Sequence, residues 1–375
     1  MLGKSYKLAT FAGIPVKLHW SFGLLVITLL FIEYRDHQSL YGVGFMALYI
    51  VILFLCVVLH EYGHALTAKR YGIKTRDIIL SPIGGLARLE DIPEQPIKEF
   101  NIAIAGPLVN LAIAAVIGIV IYIKGLPILP DFDSIVDLYN PTGLLSLVLV
   151  VNIALFVFNL IPAFPMDGGR ILRSLLSIKL DRVVATRVAM YIGRALAVGM
   201  FIFAVYSWGM VLAVISVFVW YTSGAEYQNI LLKHKLNNTS VGDIMLTDFT
   251  KVRLDTTFHE VINTFKQTGE NNYLVYNDVD KVIGTVPYAY IADVVQRRHV
   301  ETVGQQYKSE VRFVNTDTPL LQLFDQMQNQ GVAIVAVTDN LDEVVGVLDR
   351  HRFSDWMKEL QQPSSGIGRF FARGK

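Results

Sequence analysis

The chain has 375 residues, 53% of them hydrophobic and only 17% charged, with a formal net charge of +1. A mean hydropathy of +0.44 lies far above the balance of a soluble globular protein. The near-zero net charge excludes a global pull toward nucleic acid or acidic partners, and a single cysteine, Cys56, excludes an intrachain disulfide.

The apolar excess sits almost entirely before about residue 228. Lys4, Lys7 and Lys17 precede an apolar run over residues 20–32. No small-x-small cleavage site comes after it, because the chain continues Ile32-Glu33-Tyr34-Arg35, so the run reads as a short first membrane span. A helix needs about 20 mostly apolar residues to cross the hydrocarbon. Uncharged runs of that order occur at residues 42–59, 102–123, 138–166 and 195–225. The last is long for one helix and short for two. Ser207-Trp208-Gly209 would break it into a hairpin whose first arm starts near Val184. The expectation is an α-helical polytopic membrane unit of about six spans over residues 1–228, in the cell membrane.

Basic residues set orientation. Lys69, Arg70, Lys74, Arg76, Arg88 and Lys98 come after the second expected span, and Arg170, Arg173, Lys179, Arg182, Arg187 and Arg194 after the fourth. The opposite loops hold Arg35 and Lys124. Both termini are therefore expected on the cytoplasmic side. That puts His60 near the cytoplasmic end of span two, and Asp167 at the same depth just past span four. Arg182, Arg187 and Arg194 form a basic amphipathic stretch expected at lipid headgroups.

Residues 229–239 read as a linker, and the chain beyond residue 240 is soluble in character and repeated. With an offset of 62, Val241-Gly242 matches Val303-Gly304, Asp255-Thr256 matches Asp317-Thr318, Gly284 matches Gly346 and Asp293 matches Asp355. Each unit reads helix, strand, strand, helix, with β-branched strands at 274–278 and 282–286 and again at 334–339 and 344–348. The units span 240–299 and 300–362, and 363–375 is a basic tail. With the opening Val241-Gly242-Asp243-Ile244-Met245, this α/β module resembles a tandem pair of cystathionine-β-synthase (CBS) domains. The resemblance implies an adenosyl-ligand site between the units. The family's ribose-binding aspartate comes after the second strand; here Pro287-Tyr288-Ala289-Tyr290 and Asp349-Arg350-His351-Arg352 depart from that pattern. An adenine nucleotide and a dimerisation or docking role, including a homodimer, therefore both stay open.

The polar residues of the first unit raise the chemical question. His60-Glu61-Tyr62-Gly63-His64 ends an uncharged run. Residues four apart share one helix face, so both imidazoles can grip one ion while Glu61 reaches a water beside it. A pair of buried, satisfied histidines is the competing reading. It weakens at membrane depth, where ionisable groups are expensive and mark functional sites. A catalytic zinc needs three protein ligands and an open position. Asp167 is the candidate third ligand: it is the only acid between Asp137 and Asp181, and Pro162 and Pro165 break the helix before it. Gly168-Gly169 permits a tight turn. A solvated helix end is the competing reading for Asp167.

The pair His60-Glu61-Tyr62-Gly63-His64 and Asn159-Leu160-Ile161-Pro162-Ala163-Phe164-Pro165-Met166-Asp167-Gly168-Gly169-Arg170 resembles the site-2 protease family of intramembrane zinc metalloproteases. Stretches at 13–22, 81–90 and 105–110 match as well. The resemblance implies that His60, His64 and Asp167 hold Zn2+, one per chain, and that Glu61 is the general base. Asn159 would orient substrate or the oxyanion, or else serve as an interhelical hydrogen bond. Gly84 and Gly85 lie in a loop that the family folds toward its site. Extended backbone there could pair with an unwound substrate strand, or the stretch could be an ordinary turn. Gly106, Ala103 and Ala105 read as helix-packing residues and Asn110 as interhelical glue; Cys56, one turn before His60, reads as packing or else as a residue facing the site. The implied partners are a membrane-anchored protein substrate and the bilayer, with no nucleic acid. A CBS-regulated transporter would spread charged or hydroxyl residues through several spans. An inactive relative that only binds clients would be expected to lack Glu61.

Overall fold

The structure, a computed structural model, describes residues 5–37, 39–81, 84–90, 93–126, 141–297, 302–328 and 330–361. Pro82, Ile83, residues 138–140 of the fourth expected span, residues 298–299 of the first repeat, residue 362 and the tail 363–375 lie outside the described residues. The chain divides into two compact units, Met1–Gln228 and Asn229–Lys375.

In the first unit, strands β1 (Ser5–Phe11) and β2 (Ile14–His19) lead into helices α1 (Trp20–His37) and α2 (Leu40–Arg70). Strands β3 (Thr75–Ser81) and β4 (Gly84–Leu89) come next, then α3 (Pro96–Ile123), α4 (Pro141–Asn159), α5 (Asp167–Leu176), α6 (Arg182–Tyr206) and α7 (Met210–Asn237). Among the described residues, four helices are long and apolar enough to cross a membrane: α2, α3, α6 and α7. Helices α1 and α4 stand where the first and fourth spans are expected, but α1 has only 18 residues and carries Glu33, Arg35 and Asp36 near its end. Within the described residues the apolar stretch of α4 is Gly143–Asn159. The break between α6 and α7 falls where expected, with Trp208 in a left-handed conformation (φ 56°) between them.

Ser39 starts α2 by accepting the Gly42 amide at 3.2 Å, as a side-chain N-cap does. At 1.5 Å per residue, His60 lies about 30 Å along α2. The sequence pattern predicts no sheet here, yet the four strands pair in the order β1-β2-β3-β4. They are short, and their apolar residues read as lead-in to the spans. Strands β2 and β3 pair in parallel with Val16 opposite Ile78, and the other pairs are antiparallel. Ile14, Val16, Ile78 and Leu80 pack on Tyr62 and Ala65 of α2, so the sheet is seated on the turn that carries the histidines. The Tyr62 hydroxyl also donates to the Phe11 and Ile14 carbonyls, at 3.2 and 3.1 Å. That pins the β1–β2 turn to the same helix.

In the second unit the 62-residue offset is realised element by element. Strand β5 (Lys251–Arg253), α8 (Phe258–Thr268), β6 (Tyr273–Tyr276), β7 (Val282–Val286) and α9 (Tyr288–Arg297) recur as β8 (Phe313–Asn315), α10 (Leu320–Gln328), β9 (Ile334–Thr338), β10 (Val344–Asp349) and α11 (Arg350–Gln361). Each repeat gains a leading three-residue strand that pairs in parallel with the next. Three residues are too few to carry a period in the sequence. The start of each repeat crosses to the other: Val241 and Gly242 donate to Thr318 and Thr316, and Val303 and Gly304 to Thr256 and Leu254. Residues 229–237, expected as a linker, continue α7, and Leu236 is buried with Val241, Leu320 and Phe353.

Candidate metal centre

Helices α2 and α3 approach closely enough to share the site because glycines face it. A Cβ on Gly63 would lie 2.8 Å from the Ala105 carbonyl oxygen, and a Cβ on Gly106 would overlap the His64 ring and sit 2.8 Å from His60 Nε2. Gly106 is thus more than a packing residue: its missing side chain is the space the two imidazoles face. Pro107 beside it has no N–H to give to the helix.

The third group arrives from a tight loop. After α4 ends at Asn159, residues 160–166 fold over the start of α5, and Asp167 is the first helical residue. A Cβ on Gly168 would overlap the Leu160 and Ile161 carbonyl oxygens, and one on Gly169 would sit 2.7 Å from the Ala163 carbonyl carbon. Both glycines are helical. They serve close approach of the loop, not the tight turn expected of them. Arg173 locks α5 from below. Fully buried, it donates to Glu99 of α3 at 2.9 Å through Nε and to Glu226 of α7 at 2.6 Å.

His60, His64 and Asp167 are all buried, and each offers one ligand atom within 4.8 Å of the others. The two Nε2 atoms are 3.1 Å apart, and Asp167 Oδ2 lies 3.2 Å from His60 Nε2 and 3.1 Å from His64 Nε2. The other ring nitrogens are engaged. His64 Nδ1 is 2.7 Å from the Ile102 carbonyl oxygen, which can only accept, so Nδ1 carries a proton, and in the neutral ring Nε2 holds the lone pair. His60 Nδ1 faces Asn110 Oδ1 at 2.5 Å. Two imidazole lone pairs and a carboxylate oxygen pointed at one spot repel one another unless a cation or proton lies between them. The set suits zinc, whose sites take His nitrogen and carboxylate oxygen, and each ring is held from behind as metal-bound histidines are.

Glu61 is directed to the sheet. Its Oε2 accepts the Ala87 amide of β4 at 2.9 Å, and a Cβ on Gly85 would lie 2.7 Å from Glu61 Cγ. Strand β4 is the last in the sheet. Since the Ala87 N–H points to Glu61, alternation puts the backbone of Gly85 on the same free edge. Gly84 opens the strand at φ 134°, backbone that favours glycine. The strand is held from its other side by Asp77 of β3. That carboxylate accepts Arg88 of β4 at 2.6 Å and pairs with Lys17 of β2 at 2.6 Å. Arg88 first, then Lys17, bring its pKa down to about 2.

Asn159 is not brought into this cluster by a hydrogen bond to any described residue of it; its Nδ2 donates to the Leu155 carbonyl of its own helix at 3.0 Å. Asn152, one of the few polar residues in that run, is the residue that sequence reasoning missed. Its Nδ2 donates to the Val148 carbonyl and to Cys56 Sγ, and its Oδ1 accepts Asn110 Nδ2 at 2.9 Å. A polar side chain inside a membrane run is itself the missed signal. Arg182 donates to the Pro93 carbonyl and pairs with Glu99. Arg187 and Arg194 stack on Tyr227 and Trp220.

Fold and site together define a membrane protein with a buried His-His-Asp centre and a tandem CBS module. The Peptidase family M50 model matches residues 48–140 and 128–203, and the CBS domain model matches residues 241–297 and 303–359. A zinc metalloprotease of Methanocaldococcus jannaschii is 32% identical over 347 residues, covering 92% of this chain and 94% of the relative. Stage IV sporulation protein FB of Bacillus subtilis is 28% identical over 34% of this chain and 40% of its own. The solved site-2 protease from Methanocaldococcus jannaschii is 38% identical, covering 60% of this chain and 95% of its own, at a TM-score of 0.44. The chain belongs to peptidase family M50, the zinc metalloproteases of site-2 type, and carries a CBS pair behind its protease unit.

Proposed function

We propose that the protein is an HExxH-type intramembrane zinc endopeptidase that cuts membrane-anchored proteins within or near their transmembrane segments. The observation that carries this reading is the convergence of His60, His64 and Asp167 beside Glu61 and the free edge of β4. Zinc held by those three side chains would supply Lewis-acid polarisation of the scissile carbonyl and a lowered pKa for water. Glu61 takes a proton from the attacking water as the new C–O bond forms. It returns that proton to the leaving nitrogen as the C–N bond breaks.

A transmembrane helix hides its peptide bonds in its own hydrogen bonds, so it must unwind before it can be cut. The Gly85 backbone and the Ala87 carbonyl would give an unwound segment an edge to pair with, as in strand addition, while the Ala87 N–H stays with Glu61. Absence of a side chain at Gly85 lets Glu61 lie against that edge. The basic residues after α2 and around α5 favour both termini and the CBS pair on the cytoplasmic side, which gives the site access to water. In this reading the CBS pair regulates the protease, either through self-association or through a ligand. The ligand's place would be a cleft of about 230 Å3 lined by Phe249, Glu270, Asp349, His351, Arg352 and Asp355. An adenine nucleotide is the class to try there first.

The test compares wild type with Glu61→Gln and Asp167→Ala for zinc content and for cleavage of a membrane-anchored reporter. Glu61→Gln keeps its zinc and loses about 10²- to 10⁴-fold in rate, whereas Asp167→Ala loses the zinc. Undiminished cleavage by Glu61→Gln would sink the mechanism.

A further inference from the structure

Behind His60 runs a buried chain of amides with a defined direction. Asn110 and Asn152 are each 0% exposed, so neither can turn to water for a partner. The chain is anchored at its far end by the Val148 carbonyl, which can only accept. Asn152 Nδ2 lies 2.8 Å from that oxygen, with Cys56 Sγ at 3.4 Å on the same nitrogen. Reversing the Asn152 amide would set its oxygen against the Val148 oxygen. Its Oδ1 therefore faces α3, where it accepts Asn110 Nδ2 at 2.9 Å. With its nitrogen so engaged, Asn110 turns its Oδ1 to His60 Nδ1 at 2.5 Å. An amide oxygen there requires the proton on Nδ1, and Nε2 is left with the lone pair aimed at Asp167 and His64.

We propose that Asn152 is a positioning residue for the metal centre: through Asn110 it fixes the tautomer of His60, so that Nε2 is presented as a ligand. His64 needs no such relay, because Ile102 offers it a carbonyl directly. For His60 the helix that faces it supplies an amide, which can present either end, and the second amide removes that ambiguity. The inference rests on the proposed zinc site.

The experiment measures the zinc dissociation constant of the detergent-solubilised full-length protein by chelator competition. Wild type is compared with Asn152→Leu and with the double variant Asn110→Asp, Asn152→Leu. A carboxylate at 110 can only accept, so it restores direction without Asn152. Asn152→Leu is expected to weaken zinc about 10- to 100-fold, as outer-shell partners of metal ligands do, and the double variant to recover most of that loss. If Asn152→Leu fails to fold, Asn152→Ser replaces it, since serine can bond back to the Val148 carbonyl and is too short to reach Asn110. Two results overturn the proposal: Asn152 variants that bind zinc as tightly as wild type, or a double variant weaker than the single, which would mean simple packing. A wild type that binds no zinc at all would instead overturn the metal reading itself.

Discussion

Gly106→Ala is the smallest change that tests the centre. One methyl group is added on α3, where alanine is the better helix former by about 1 kcal/mol, so propensity alone predicts a gain in stability. The added Cβ, however, overlaps the His64 ring and lies 2.8 Å from His60 Nε2. Neither ring can swing away freely, since His60 is held by Asn110 and His64 by the Ile102 carbonyl. Overpacking of this kind costs about 1–3 kcal/mol, and here it falls on the two nitrogens that would bind the ion. If all of it appears in binding, zinc affinity drops about 5- to 150-fold. Gly118→Ala, on the same helix, is the control, because its Cβ would meet only Leu149 Cδ1, at 4.0 Å. Zinc titration and reporter cleavage should separate the two variants clearly. Wild-type zinc affinity in Gly106→Ala would refute the claim that the glycine makes room for the ligands.

Three further variants probe what holds the site in place. Asp77 ties β4 to the sheet, and its carboxyl is held at about 2 against an ordinary 3.8. A depressed carboxyl stabilises above its ordinary pKa and loses that contribution as pH falls toward about 2. Asp77→Asn should therefore lower stability at neutral pH by about 1–2 kcal/mol, discounted for the partly exposed Arg88 and Lys17. The gap to wild type should close between about pH 4 and pH 2 in thermal unfolding; a gap independent of pH would point to packing. Arg173→Met leaves Glu99 and Glu226 facing each other without their shared cation, and loss of one partner from a buried pair costs about 3–5 kcal/mol. Glu226→Gln should cost less, because Glu226 is 24% exposed. The two are ranked by their Tm in detergent.

The pattern of runs and the histidine spacing made the long helices and the candidate ligand pair legible, because period and charge are local properties of a sequence. The expected meeting of His60 with Asp167 needed one more step, the shared depth implied by the basic loops. The sheet was not legible: β1 and β2 total 13 residues, and their apolar positions merge with the adjoining span. The role of Gly106 was hidden for a different reason. A glycine in a membrane helix reads as close packing whatever it packs against, and only the three-dimensional structure shows that the neighbour is a pair of imidazoles. Asn159 and Asn152 show the limit most directly. They sit seven residues apart on one helix, and nothing local says which of them reaches the histidine through Asn110.

The placement of the polar groups also separates the competing functions. A transport path needs polar side chains strung along several spans so that a solute can pass from one site to the next. Among the described residues, the buried hydroxyls of α6 and α7 donate to backbone carbonyls, Thr186 to Arg182, Ser216 to Leu212 and Ser223 to Phe164, and the buried amides, imidazole and carboxylate around the site form one short chain. It runs from Asn152 through Asn110 to His60 and stops at Asp167. The buried charges Glu99 and Arg173 clamp α5 to α3 and α7 and so hold the aspartate in position; they do not extend that chain. An inactive client-binding relative would need the ligands or the strand edge, with no use for a carboxylate between them. Glu61 stands in that place, its Oε2 on the edge strand and its helix neighbour His60 in the cluster. A residue that touches both the proposed docking edge and the helix of the proposed ligands is placed as the proposed proton transfer requires, and a purely client-binding role does not call for it.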